Sequence, residues 1–265
     1  MCLIALNWNP NSRFPLVMVA NRDEFYQRPA REAHYWEKDP AIFGGIDLQA
    51  GGTWLAVSTT GKLATITNYR ELDSSGERTR GELTSDFLLS DLSAQNYLLD
   101  VHSRRSHYAG FNLLLADNTG LWFYSNREDL IRRLEPGLYG LSNGLLDTPW
   151  PKTLQLKQLL ENHLASEDPD PETLISLLHD QHQPEDSDLP DTGIGLEWER
   201  LLSTCFINSS VYGTRNSTAL ILDQNQQLHW HEQHYNSDGP VPPVRTETMS
   251  MPAHWLSAAS LLATL

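Results

Sequence analysis

Cys2-Leu3-Ile4-Ala5-Leu6 and Leu16-Val17-Met18-Val19-Ala20 are two short apolar runs joined through the turn-forming Asn9-Pro10-Asn11-Ser12, and the second leads directly into Asn21-Arg22-Asp23-Glu24. A strand with one wet face alternates apolar and polar residues. These two do not, so both are expected in a sheet covered on both faces. The turn residues between them make the pair a hairpin. In a hairpin the start of the first strand lies beside the end of the second. Cys2 and the polar tetrad therefore share one sheet edge, whatever the register.

The same pattern recurs along the chain. Residues 54–58 and 63–67 form a pair turning at Thr60-Gly61-Lys62, residues 111–116 and 121–125 a pair turning at Asp117-Asn118-Thr119-Gly120, and residues 218–222 and 228–231 a pair turning at Asp223-Gln224-Asn225-Gln226. Repeated hairpins imply antiparallel sheet. Helices are expected between them, at residues 82–89 and 94–102. Another spans 151–164, where Pro151 suits a first turn and Leu156, Leu159, Leu160 and Leu164 make one stripe. Asp170-Pro171 opens a further one, with Leu174, Leu177 and Leu178 facing inward. Residues 179–196 are polar and aperiodic and read as an acidic loop. The tail from Asn236, opening Ser237-Asp238-Gly239-Pro240, reads as irregular until a short apolar helix at 255–262. The fold class is α+β: a single domain over residues 1–265, built as a four-layer αββα sandwich with two antiparallel sheets face to face and helices outside.

Composition narrows the function. With 265 residues and 40% hydrophobic content the chain can bury a large core. A formal charge of -15 argues against nucleic acid, whose phosphates need a basic face. No Lys or Arg occurs between Lys157 and Arg200, so the imbalance is concentrated in one solvated flank. No run approaches the roughly 20 apolar residues of a membrane span, and the opening stretch is too short for a secretory signal. Cys2 and Cys205, the only cysteines, make neither a disulfide framework nor a cysteine-rich metal site. The expectation is a cytoplasmic protein whose partner is a small-molecule amide or an apolar ligand.

Cys2 follows Met1 directly. A residue this small permits excision of the initiator methionine, leaving a thiol and a free α-amine on one residue. The amine titrates near pKa ~8 and the thiol near ~8.5, so together they supply base and nucleophile without a histidine. The plainer alternative is a buried strand residue. Two carboxylates, an amide and a guanidinium at the end of a buried strand are costly unless paired, which makes Asn21-Arg22-Asp23-Glu24 the sharpest local signal, although a surface turn accounts for it too. Asn68 and Asn143 follow strand regions and can donate to an oxyanion. Arg22 or Arg215 near the thiol would favour its thiolate. Asn143 beside Gly144 also fits a simple turn, and Arg215 a partner for the acidic flank. His179 and His182 lie three apart on a soft polar stretch and read as surface. Gly44-Gly45 and Gly51-Gly52 match no phosphate loop and serve tight turns near Trp54.

Taken together, Met-Cys at 1–2, Asn21-Arg22-Asp23-Glu24, Gly51-Gly52-Thr53-Trp54, Thr67-Asn68, Leu141-Ser142-Asn143 and Tyr212-Gly213-Thr214-Arg215 resemble the NRDE family, also called the transport and Golgi organisation 2 family. The resemblance runs in order from residue 1 to about 235. It implies the N-terminal nucleophile hydrolase fold, whose cysteine branch contains penicillin V acylase and bile salt hydrolase and also begins Met-Cys. Carried over from that branch, Cys2 is the nucleophile, Arg22 and Asp23 its early arginine and aspartate, Asn68 the oxyanion asparagine, Asn143 a second active-site asparagine and Arg215 the late arginine. The Arg22-Asp23 spacing is tighter than in those acylases. Hydrolysis of this type requires no cofactor. The family is also associated with haem handling and lipid metabolism, so a non-catalytic haem or lipid-like carrier is the competing expectation. His34, His102, His107, His163 or an axial Cys2 would be the iron ligands to weigh.

Overall fold

The computed structural model describes residues 2–72, 75–253 and 255–256. Thirteen strands are described: β1 (Cys2–Trp8), β2 (Leu16–Phe25), β3 (Ala30–Tyr35), β4 (Ile42–Asp47), β5 (Leu55–Ser58), β6 (Lys62–Asn68), β7 (Phe111–Asp117), β8 (Gly120–Ser125), β9 (Leu130–Arg133), β10 (Gly137–Leu141), β11 (Tyr212–Leu222), β12 (Gln227–Asn236) and β13 (Gly239–Ser250). The helices are α1 (Gly81–Leu89), α2 (Ala94–Ser103), α3 (Pro151–Ser166), α4 (Pro171–Ser176) and α5 (Leu196–Leu201). One sheet has the order β10-β1-β2-β11-β12-β13 and the other β3-β4-β5-β6-β7-β8-β9. Every pairing is antiparallel.

The uniformly apolar first strands have two partners, one on each face. Ile4, Leu6, Met18 and Leu220 of the first sheet meet Phe43, Val57, Leu114 and Phe123 of the second, forming the inter-sheet core. Leu3, Ala5, Val17 and Val19 turn the other way, onto Leu156 and Leu160 of α3 and Leu174 of α4. Each such leucine, fully buried, contributes roughly 1.5–3 kcal/mol. On the far side Leu83 and Phe87 of α1 and Leu98 of α2 cover Ala64, Leu113 and Leu115. These are the four layers expected from the hairpin order. Among the described residues, no helix is long and apolar enough to cross a membrane.

The tail departs from expectation. Residues 239–250 form β13, which pairs with β12 from Asn236↔Gly239 to Gln227↔Ser250. Gly239, at φ +125, makes the tight turn that looked like the start of an irregular segment. Pro240, Pro242 and Pro243 are tolerated because β13 is an edge strand, where some backbone N–H groups need no ladder partner. The apolar helix expected at 255–262 lies largely outside the described residues; Trp255 and Leu256 are buried in a turn against the inter-sheet core. The acidic segment 179–196 carries a single-turn helix at Asp186–Asp188. It is fastened where Thr192 donates through its backbone N–H (2.9 Å) and its hydroxyl (2.5 Å) to Glu199.

Candidate active site

The β1–β2 register places Cys2 opposite Arg22, at the edge where the hairpin argument put them. Strand alternation then divides the tetrad between two layers. Arg22 follows Met18 and Ala20 toward the second sheet, where its guanidinium lies 4.1 Å over the Trp54 ring and its Nη2 is 3.4 Å from Asp47. Asp47 also takes Arg28 Nε at 2.7 Å. Burial alone would raise the Asp47 carboxyl, but the Ala50 backbone N–H and the Arg28 guanidinium outweigh it and hold the group below its usual range.

Asp23 follows Val17, Val19 and Asn21 toward the helix layer and is fully buried. Its Oδ1 accepts from Thr214 Oγ1 at 2.8 Å, and its main-chain oxygen accepts from Tyr212 Oη at 3.0 Å. Burial pushes the Asp23 carboxyl up, opposed chiefly by the charge of Lys152. Lys152, the second residue of α3, is only 3% exposed, and its Nζ has no hydrogen-bond partner among the described residues. Burial brings its ammonium down to about 8, with Asp23 as the main opposing influence.

A cavity of about 280 Å³ opens at this edge, lined by Cys2, Arg22, Asp23, Trp54, Asn68 and Arg80 among others. Gly51 and Gly52 adopt φ +74 and +76. A Cβ on Gly52 would come within 2.2 Å of the Gly81 oxygen, so this glycine lets the loop close against the start of α1, which forms the opposite wall. Cys2 is half-buried. Burial raises its thiol, opposed in part by Arg22. The Cys2 carbonyl accepts from Ser142 Oγ at 3.1 Å. Arg80, half-buried, donates to the Gly110 carbonyl at 3.1 Å and has no carboxylate partner among the described residues.

Asn68 ends β6 and lines both this cleft and an adjoining cavity of about 410 Å³ walled by Phe25, Leu72, Ile194, Trp198, Leu202 and Tyr212. Its side-chain amide makes no hydrogen bond among the described residues, so its donor is uncommitted. Asn143 differs from the expected second donor. It is fully buried, lines neither cavity, and spends its Nδ2 on the Asn68 carbonyl at 2.9 Å. Its own carbonyl accepts from the Arg70 N–H at 2.7 Å. Asn143 supports the cleft from behind.

Arg215 also lies away from the thiol. It occupies a bulge in β11 between Thr214 and Asn216, and its Nη1 donates to the carbonyls of Phe25 (2.8 Å) and Arg28 (3.1 Å). It borders a separate cavity of about 30 Å³ with Arg22 and Trp54. Four groups near the cleft had been given no individual role from the sequence: Lys152, Tyr212, Arg70 and Glu199. Arg70 Nη1 sits 2.6 Å from Glu199, both buried, and its guanidinium stacks over Trp150 at 4.6 Å. A lysine in the first turn of a helix, where the dipole disfavours a cation, was the one readable sign of Lys152. His34, His102, His107 and His163 line neither cavity. No group of three or more His, Cys, Asp or Glu suited to a metal ion occurs among the described residues.

The sequence profile described as Transport and Golgi organisation 2 matches residues 1–237, which include every cleft residue named above. The chain belongs to that family. Its relatives include the Transport and Golgi organization 2 homolog of Mus musculus, 37% identical over 253 residues that cover 85% of this chain and 90% of the mouse protein. The Homo sapiens homolog is 37% identical over 247 residues, covering 84% and 89%. The Drosophila melanogaster protein is 27% identical over 267 residues, covering 88% and 92%. Among solved structures, an N-acylethanolamine-hydrolyzing acid amidase ortholog from Caenorhabditis elegans overlaps with a TM-score of 0.49 at 10% identity, covering 83% of this chain and 92% of that one. A mutant conjugated bile acid hydrolase from Clostridium perfringens overlaps at 0.47 and 10%, covering 94% and 92%. For this Transport and Golgi organisation 2 family member, the assignment rests on the sequence relatives.

Proposed function

We propose that the chain is an N-terminal cysteine amide hydrolase that cleaves the C–N bond of a non-peptide amide through an acyl-thioester. The observation that supports this most is the grouping of Cys2, Asp23 and the uncommitted Asn68 amide around one cleft. With Met1 excised, Cys2 Sγ attacks the carbonyl carbon and its proton passes to the Cys2 α-amine. Burial raises the Cys2 thiol, so attack needs a base at hand, and the amine freed on Cys2 serves as that base. Asn68 Nδ2 holds the oxyanion. Collapse breaks the C–N bond as the ammonium returns its proton to the departing amine. Water then attacks the thioester, releasing a carboxylic acid and restoring the thiol. Asp23 orients the amine, and Arg22 sets the local charge. The apolar cavity beside Asn68 suits the acyl portion.

The test is intact-mass measurement for loss of Met1, followed by acid-quench trapping of a thioester on a panel of N-acyl amides. A mass of the chain lacking Met1 and a Cys2-linked acyl adduct absent in Cys2→Ala are expected. Retention of Met1, or equal hydrolysis by Cys2→Ala, overturns the reading. The same apolar cavity favours one competitor, a non-catalytic binder of a lipid-like ligand, for which Cys2→Ala would leave affinity intact. Haem fits these two cavities less well, since no histidine or methionine lines either of them.

A further inference from the structure

A further cavity, of about 550 Å³, lies apart from the chemistry above. Among the described residues it shares no lining residue with the Cys2 cleft or with the apolar cavity beside Asn68. Its volume falls in the range of about 300–1,000 Å³ usual for small-molecule sites. Rings from four segments border it: Tyr26 just after β2, His179 at the end of the single turn Leu177–His179, Phe206 ahead of β11 and Tyr235 on β12.

Three of these rings form a corner. Phe206 and Tyr235 have centroids 4.9 Å apart at 83°, His179 and Phe206 5.3 Å at 78°, and His179 and Tyr235 5.8 Å at 82°. A hydrogen bond of 2.6 Å between His179 Nε2 and Tyr235 Oη holds two of the planes in place. Planes at right angles cannot all stack on one flat ligand, so a nucleobase would use a single ring. A rounded cation can rest against more than one, drawn by the negative ring faces.

The charge around the cavity agrees. Among the described residues lining it, Asp238 is the only carboxylate, and no Lys or Arg occurs. Asp238 stands in the β12–β13 turn, where its backbone N–H donates to Asn236 Oδ1 at 2.8 Å. Gln233 spends its Nε2 on the carbonyls of His234 (2.8 Å) and Val241 (2.9 Å), which leaves its amide oxygen to face a cation. Burial lowers the His179 imidazole, so that ring is uncharged at neutral pH. Tyr26 is the less suitable wall, because the Arg215 guanidinium already lies 5.9 Å from its ring centre.

We propose that this cavity binds a methylated ammonium ion, with its methyl groups in the His179–Phe206–Tyr235 corner and Asp238 as its counter-charge. The ligand class is a quaternary or tertiary alkylammonium, free or as the head of a larger molecule. Nothing in this site depends on the hydrolase reading.

The test is calorimetric titration of the full chain, at matched ionic strength, with choline and with its uncharged isostere in which carbon replaces the nitrogen. Choline is expected to bind about tenfold or more tightly than the isostere. Phe206→Leu keeps an apolar side chain but removes one ring, and should weaken choline about fivefold or more. Asp238→Asn, on an exposed turn, should weaken choline and leave the isostere unchanged; it decides alone where Phe206→Leu does not fold. Choline should also shift the His179 imidazole resonance, identified by its loss in His179→Gln. Phosphocholine binding as tightly as choline makes a lipid headgroup the source, and weaker phosphocholine, with its phosphate near Asp238, makes it the free cation. Equal binding of choline and its isostere overturns the proposal. So does the absence of choline binding, or a preference for the neutral sugar methyl glucoside.

Discussion

The side-chain amide of Asn143 donates to the main-chain oxygen of Asn68 at 2.9 Å, joining the turn after β10 to the end of β6 and so linking the two sheets at the cleft. Two asparagines that look alike in sequence have different work. Asn68→Ala is expected to lower turnover of an N-acyl amide by about 10²–10³ in kcat with little change in Tm. Asn143→Ala should cost about 1–3 kcal/mol of stability and reduce turnover less. Steady-state kinetics beside thermal melts of both variants check this, and the reverse pattern would exchange their roles.

Arg215 braces the β2 end through two carbonyls and does not line the Cys2 cleft. Arg215→Gln is expected to destabilise the fold by about 1–3 kcal/mol. The alkylation rate of Cys2 by iodoacetamide should change by less than about threefold, since each 1.4 kcal/mol of coupling would give tenfold. A large change in that rate would return Arg215 to the thiol's surroundings.

Asp23 sets a pH signature of its own. Its folded pKa is raised, so the native state binds a proton more readily than the unfolded chain. The sign follows: between the unfolded value near ~3.9 and the folded value, its contribution to stability falls as pH rises. Asp23→Asn removes that loss, so its stability relative to the parent chain should improve from pH 4 toward pH 7. Urea melts across that window show whether the difference grows in this direction or the other.

Gly52 and Gly51 both hold positive φ, but their surroundings differ. Gly52→Ala drives a methyl into the Gly81 carbonyl, whereas a Cβ on Gly51 meets nothing within 4 Å. Gly51→Ala should cost about 1–2 kcal/mol of backbone strain. Gly52→Ala should cost more and displace the start of α1 from the cleft. Equal melting temperatures for the two would contradict that packing.

The layers were legible because the pattern of burial is written in short windows. Leu3 to Leu6 and Leu16 to Ala20 lack alternation for the reason proposed, since Ile4 and Met18 face one layer and Leu3 and Val17 the other. Gly239-Pro240 misled because a turn and an edge strand use the same residues as a loop. Cys2, Arg22, Asp23 and Asn68 converge through hairpin geometry and strand ends, which sequence order reveals. The Arg70–Glu199 pair joins residues 129 positions apart, so it could not be read from local pattern. Asn143 and Arg215 were expected at the site both from their strand-end positions and from resemblance; their side-chain donors instead serve backbone carbonyls.

Asn68 stands at the junction of a charged chamber and a greasy one. Under the proposed hydrolase reading, an amide held there would have its reacting end on the arginine side and its acyl tail beside Trp198 and Ile194. Head and tail would then be judged by separate parts of the chain.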